Sequence, residues 1–272
     1  MSVSLSSAST WLVWPLIVAL PLYMTCGAAR YESIFPSEWF DTAPREIREG
    51  YPSPLGLSLG LLAVAVGQIF VILYFSLRRA GNMGSLTSIQ KEGPRAYDLM
   101  EGITTHLAQP EGFVMLGAYL IFYWMMDWMP SSYYSFSGGI NWFHVLAQLL
   151  LTDFLQFVSH LLEHNISAAF YRLSHKPHHR FTNPRLFDAF DGSLADTFFM
   201  ILVPLLLTSR VVHANVWSYM TFGTLYANWL VLVHAEYSHS WDGLFRAIGF
   251  GTAGDHHVHH KLFLFNFGHL FM

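Results

Sequence analysis

Twelve of the fifteen histidines lie between positions 160 and 260, and all of these but His213 fall into four groups. They read His160-Leu-Leu-Glu-His164, His175-Lys-Pro-His178-His179, His234-Ala-Glu-Tyr-Ser-His239 and His256-His257-Val-His259-His260. At ordinary usage such a window would hold about two. Neutral imidazole is the commonest metal ligand in proteins, so the grouping points to metal chemistry. On a helix, His160 and His164 stand one turn apart on one face, where one ion can sit between them. Adjacent histidines such as His178-His179 and His259-His260 point in different directions and suit two neighbouring ions. His160, His164, His175, His178, His179, His256, His259 and His260 make eight ligands, and His234 and His239 bring the set to ten. Two ions with four or five nitrogens each is the matching arithmetic. Imidazole suits Zn, Cu, Fe and Ni alike. A structural zinc takes four ligands, usually with Cys, and Cys26 is the sole cysteine. A redox pair that binds dioxygen fits the donor set better.

Asp153 and Gln156 precede His160 by seven and four residues on the same helical stripe. They are expected to accept imidazole N–H groups and fix their tautomers. His144 lies 16 residues before His160, about 24 Å along a helix, and is read as a non-ligand. His106, His213, His257 and His269 are read the same way.

The elements that must carry these groups are apolar. Hydrophobic residues make up 53% of the chain and charged residues 12%, half the usual charged share of about 25%. A spanning helix needs about 20 apolar residues. Stretches 11–29, 55–77, 112–129, 140–164, 194–209 and 214–234 qualify, with Pro204 expected to kink the fifth. The predicted fold is therefore all-α: a multi-pass membrane bundle of about six transmembrane helices with a helical histidine-box cap. Residues 1–110 form an N-terminal region with two spans, and residues 111–272 the catalytic region. Positions 1–10 carry no Lys or Arg, which argues against a cleaved signal peptide. The last residues, 266–272, form an apolar run without a polar tail, so the expectation is that the protein continues beyond them.

Ten of the fourteen Lys and Arg residues fall in 78–111, 165–195 and 235–272, which places those segments and the histidines in the cytosol. The net charge of -4 supplies no basic field for nucleic acid.

The order HxxxH, HxxHH, HxxHH on one side of paired membrane helices resembles the fatty acid hydroxylase/sterol desaturase superfamily. Residues 171–180 with Pro184 resemble the second box of its sterol C5-desaturase branch. Residues 254–268, ending in Asn266-Phe-Gly268, resemble the last box and tail, and also the alternative squalene epoxidase branch. Asp191-Gly192 stands where many relatives carry His-Pro. The resemblance covers roughly residues 110–272. It implies two Fe ions, O2 as co-substrate, and electrons from a cytochrome b5-type donor and its NAD(P)H reductase. It also implies a membrane lipid substrate, residence in the endoplasmic reticulum, and outer-sphere roles for Asp255 and Asn266.

Sterol-pathway oxidation, whether desaturation, hydroxylation or epoxidation, is the favoured activity. Trp124, Met125, Met126, Trp128, Phe198, Phe199 and Trp229 are expected as its rigid apolar wall. Hydroxylation of fatty-acyl or sphingolipid chains is the alternative. Two other readings compete. His160-Leu-Leu-Glu-His164 also matches the HxxEH pattern of a membrane zinc protease with Glu163 as base, but that leaves the remaining groups unused. A metal transporter would place its site near the bilayer midplane, whereas these groups lie at helix ends.

Overall fold

The computed structural model describes residues 11–26, 28–40, 50–80, 87–93, 99–108 and 110–271. Among them every extended element is helical, as the apolar periods require. The principal helices are α1 (Val13–Cys26), α2 (Leu55–Ala80), α3 (Met115–Met125), α4 (Trp142–Asn165), α5 (Leu194–Val211), α6 (Val216–Val233) and α7 (Ala253–Leu262). Each of the six predicted apolar stretches contains a helix. Three helices, Leu55–Leu77, Trp142–Asn165 and Leu194–Val211, are long and apolar enough to cross a membrane.

The other three depart from the expected spans for local reasons. Helix α1 has 14 residues, about 21 Å, and carries Pro21. Helix α3 has 11 residues. It is preceded by a wide turn at Pro110–Val114 in which Gly112 leaves helical geometry, and Asp127 just beyond its end adopts φ 58°. Helix α6 has 18 residues, 15 of them buried. It is the central post of the bundle, packed on α1, α2 and α4, and its Ser, Thr and Asn side chains lie inside protein.

Helix α4 shows the inverted patterning of a membrane helix. Phe143, Leu146, Leu150, Phe154, Phe157 and Leu161 are exposed along one side, while Gln148, Thr152, Asp153, Gln156, His160 and Glu163 are buried along the other. An apolar side turned outward and a polar side turned inward is stable only where the surroundings are hydrocarbon. Asn141 starts this helix by accepting the Phe143 and His144 N–H groups, a cap that fixes the register of the stripe.

Pro204 does not kink α5 in isolation. The chain widens to a π-type turn at Phe198–Leu202 immediately before it, which accommodates the missing donor. Gln156 Nε2 donates to Met200 O at 2.6 Å, a carbonyl the proline at position 204 cannot serve. The two distal turns close on each other through Asn215 Nδ2, which donates to Ser137 O and Gly139 O at 2.7 Å each.

At the opposite end the three basic segments meet. Ile89 N donates to Glu236 O and Ser238 N to Thr87 O. Gln90 Nε2 donates to Thr182 O and Asn183 Nδ2 to Gly93 O.

Candidate metal centre

Nine imidazoles converge at the end of α4. His160, His164, His175, His179 and His259 bring one ring nitrogen each within 4.8 Å of one another, and His178, His234, His256 and His260 do the same. Each HxxHH box splits between the groups, as the divergence of adjacent side chains predicts. His179 joins the five while His178 joins the four, and His259 joins the five while His260 joins the four.

The outward ring nitrogens are committed. Nδ1 of His160 donates to Phe267 O at 2.8 Å, that of His178 to Asp191 O at 3.0 Å, and that of His234 to Leu230 O at 2.7 Å. Nδ1 of His259 donates to Phe265 O at 2.7 Å and that of His260 to Phe181 O at 2.9 Å. Asp196 accepts from His175 Nδ1 at 2.7 Å. A carbonyl can only accept, so these bonds fix the proton on Nδ1 and leave a lone pair on Nε2.

Those lone pairs face one another. Nε2 of His178 and His234 are 3.3 Å apart, and His256 Nε2 lies 3.0 Å from that of His234. The Nε2 atoms of His160 and His175 are buried without a protein partner. Burial pushes His175 down to about 3 and His259 down to about 2, so both rings are neutral at ordinary pH. Apposed lone pairs with no proton between them repel, and a shared cation turns the repulsion into coordination. The residues therefore fit a pair of metal ions, with the outer carbonyls and Asp196 orienting the ligands.

The structure does not bring His239 to either group. It lies beyond the end of α6, stacked on Trp241 at 4.3 Å and 16°, and its backbone N–H donates to Asp242 Oδ2.

The four outer-sphere candidates also have other partners. Asp153 accepts the backbone N–H groups of His269, Leu270 and Phe271 at 3.2, 2.7 and 3.1 Å. Gln156 accepts from the Tyr226 hydroxyl as well as donating to Met200 O. Asp255 caps α7 by accepting Thr252 N–H and pairs with Arg246 at 3.0 Å. Asn266, at φ 58°, donates to Asp255 O. These residues shape the backbone that carries the histidines.

Among the residues read as non-ligands, His257 turns away, toward Ala235 O at 3.1 Å and Gln90 Nε2 at 3.0 Å. The side chain of His106 lies outside the described residues. His269 is placed differently from its sequence reading. It is buried, with its ring 5.4 Å from that of His160 and 5.2 Å from that of His256, one from each group. The tail reaches this place by folding back through left-handed Phe263 and Asn266, and Asn266-Phe-Gly268 is the one visible sequence signal of that turn. Of the expected apolar wall, Trp124 alone lines the internal cavity between the helices. Trp229 packs on Trp14 and Phe245, and Trp128 is exposed.

The fatty acid hydroxylase family model matches residues 145–272, the part that holds all nine converging histidines. An alternative squalene epoxidase of Phaeodactylum tricornutum is 53% identical over 276 aligned residues, covering 98% of this chain and 78% of that protein. A cholesterol 25-hydroxylase-like protein of Danio rerio is 34% identical over 154 residues, covering 53% of this chain and 58% of that protein. No solved structure matches. With its two histidine groups at the end of an all-α membrane bundle and likeness to one relative along nearly its whole length, the chain belongs to the fatty acid hydroxylase family.

Proposed function

We propose that this protein is a membrane-embedded, O2-dependent oxidoreductase of the sterol pathway, and that it epoxidises squalene. The observation that carries the redox reading is the convergence of nine imidazoles, five of which are held by backbone carbonyls with an unprotonated Nε2 turned inward. Nearly full-length identity to a protein named alternative squalene epoxidase supports the substrate. When bound, two iron ions would supply the O2 activation that protein acids and bases cannot. The five-histidine group would hold one and the four-histidine group the other.

In the net reaction one oxygen atom of O2 adds across a C=C bond and the other leaves as water, with two electrons and two protons consumed. Electrons would come from a cytochrome b5-type donor through an NAD(P)H reductase, docking on the Lys- and Arg-rich end. The positive-inside asymmetry supports a cytosolic location for that end, and the family resemblance supports residence in the endoplasmic reticulum.

The chain's own residues hold the neutral imidazoles, orient them through backbone carbonyls, and exclude water by burial. The zinc-protease reading of Glu163 leaves seven converging histidines without a role, and acyl hydroxylation draws no support from the full-length relative.

Expression of the full chain in cells lacking their own squalene epoxidase, with a cytochrome b5 reductase system, tests the reading by lipid analysis. Squalene is expected to fall and 2,3-epoxysqualene to appear. A change confined to 2-hydroxylated acyl chains, with squalene untouched, would overturn it.

A further inference from the structure

Between α2, α3, α5 and α6 lies a partly open, apolar-lined cavity. Its far end is bounded by Gly56 and Val216, beside the distal turn, where Val216 N donates to Ser135 O. Its near end is bounded by Leu230 and Phe190. Leu230 O accepts from His234 Nδ1, and the residue after Phe190 accepts from His178 Nδ1. The near end is therefore one residue layer below the four-histidine group. From Val216 to Leu230 the cavity follows α6 for about 21 Å.

The wall carries no charged side chain. The indole N–H of Trp124 is taken by Ser53 O and the hydroxyl of Tyr226 by Gln156. No charged side chain is there to pair with a carboxylate, phosphate or choline headgroup.

The glycines show that the space is built in. Small residues in membrane helices usually serve close helix approach, and two here do so. A Cβ at Gly56 would lie 2.8 Å from Val216, and one at Gly67 would lie 2.7 Å from Asn228. Gly60 on α2 and Gly117 on α3 differ: a Cβ at either would meet nothing within 4 Å, and both line the cavity. Packing does not call for glycine at these two positions, although glycine is less favourable than alanine inside a helix. What their missing side chains leave is volume.

We propose that this cavity is the binding site for the body of a headgroup-free hydrocarbon, and that Gly60 and Gly117 set its width. The inference rests on the oxidoreductase reading for what happens at the near end, but makes a separate claim about binding. One terminus of the hydrocarbon would lie against Phe190 and Leu230, under His178 and His234, and the remainder would extend toward the distal turns.

The test measures binding of radiolabelled squalene to the full-length protein in nanodiscs, beside iron content, thermal unfolding and squalene turnover. Gly60→Leu and Gly117→Leu are expected to fold and keep their iron while binding squalene at least tenfold more weakly, with the alanine versions intermediate. Gly243→Leu, whose Cβ also meets open space but outside the cavity, is expected to bind as the parent does. Oleate, which carries a charged headgroup, is expected not to displace squalene. Unchanged binding in both leucine variants, displacement by equimolar oleate, or failure of the parent to bind squalene would overturn the proposal. Binding by the parent that the leucines abolish, without turnover, would uphold the cavity and defeat the epoxidase reading. Parent-level turnover in both leucine variants would defeat the cavity and leave that reading standing.

Discussion

Alanine at position 179 is expected to remove the metal of the five-histidine group and to lower squalene epoxidation at least about 100-fold, since loss even of an outer-sphere partner costs about 10- to 100-fold. His179 Nε2 sits 3.2 Å from His164 Nε2 and 3.0 Å from His259 Nε2, so its loss opens the middle of that group. His256→Ala should remove the other metal, because His256 Nε2 faces both His234 and His260 at 3.0 Å. His257→Ala, one residue along on the same helix, should keep both, since that ring is bound to Ala235 O and Gln90. Metal content and turnover on the three purified variants check this. Full iron retention in His179→Ala or His256→Ala would refute the assignment of ligands.

Gly268→Ala is expected to damage the centre from outside it. A Cβ at position 268 would overlap the carbonyl oxygen of Phe271, a backbone atom that cannot rotate away. The same turn presents Phe265 O to His259 and Phe267 O to His160, and it is tied down by the three N–H groups that Asp153 accepts. Opening it would free two ligands from their acceptors. A hydrogen bond between neutral groups contributes about 0.5–1.5 kcal/mol net, so a loss of about 1–3 kcal/mol is expected, with iron lost from the five-histidine group before the four-histidine group. Asp153→Ala should do the same by releasing the N–H end of that contact. Thermal unfolding followed alongside iron content measures both, and unchanged iron in both variants would contradict the role given to this turn.

What was legible in the sequence is what depends on side-chain type and period. Helix α4 appeared at nearly its full extent because its residues form one long, nearly uncharged apolar stretch. The division of the HxxHH boxes followed from the divergence of neighbouring side chains. The hidden part depends on backbone geometry. Five of the acceptors that orient the imidazoles are carbonyl oxygens, which every residue has and no residue type announces. Asp153 and Gln156 looked like partners for His160 from their spacing, but the tail and α5 reach them first. His234 caps the end of α6, whereas His239 lies five residues further on, where Trp241 takes its ring. His269 arrives beside both groups because Phe263 and Asn266 adopt left-handed conformations, a choice the phenylalanine does not signal. The short helix α3 was overestimated at both ends because Gly112 and Asp127 break the helix inside an apolar run.

The central claim is that the nine imidazoles hold two iron ions. Elemental analysis of the full-length protein, purified without chelator from iron-replete cells, tests it most directly. Two irons per chain, falling to about one in His256→Ala, is the expected result. A single zinc per chain, unchanged in His256→Ala, would contradict it.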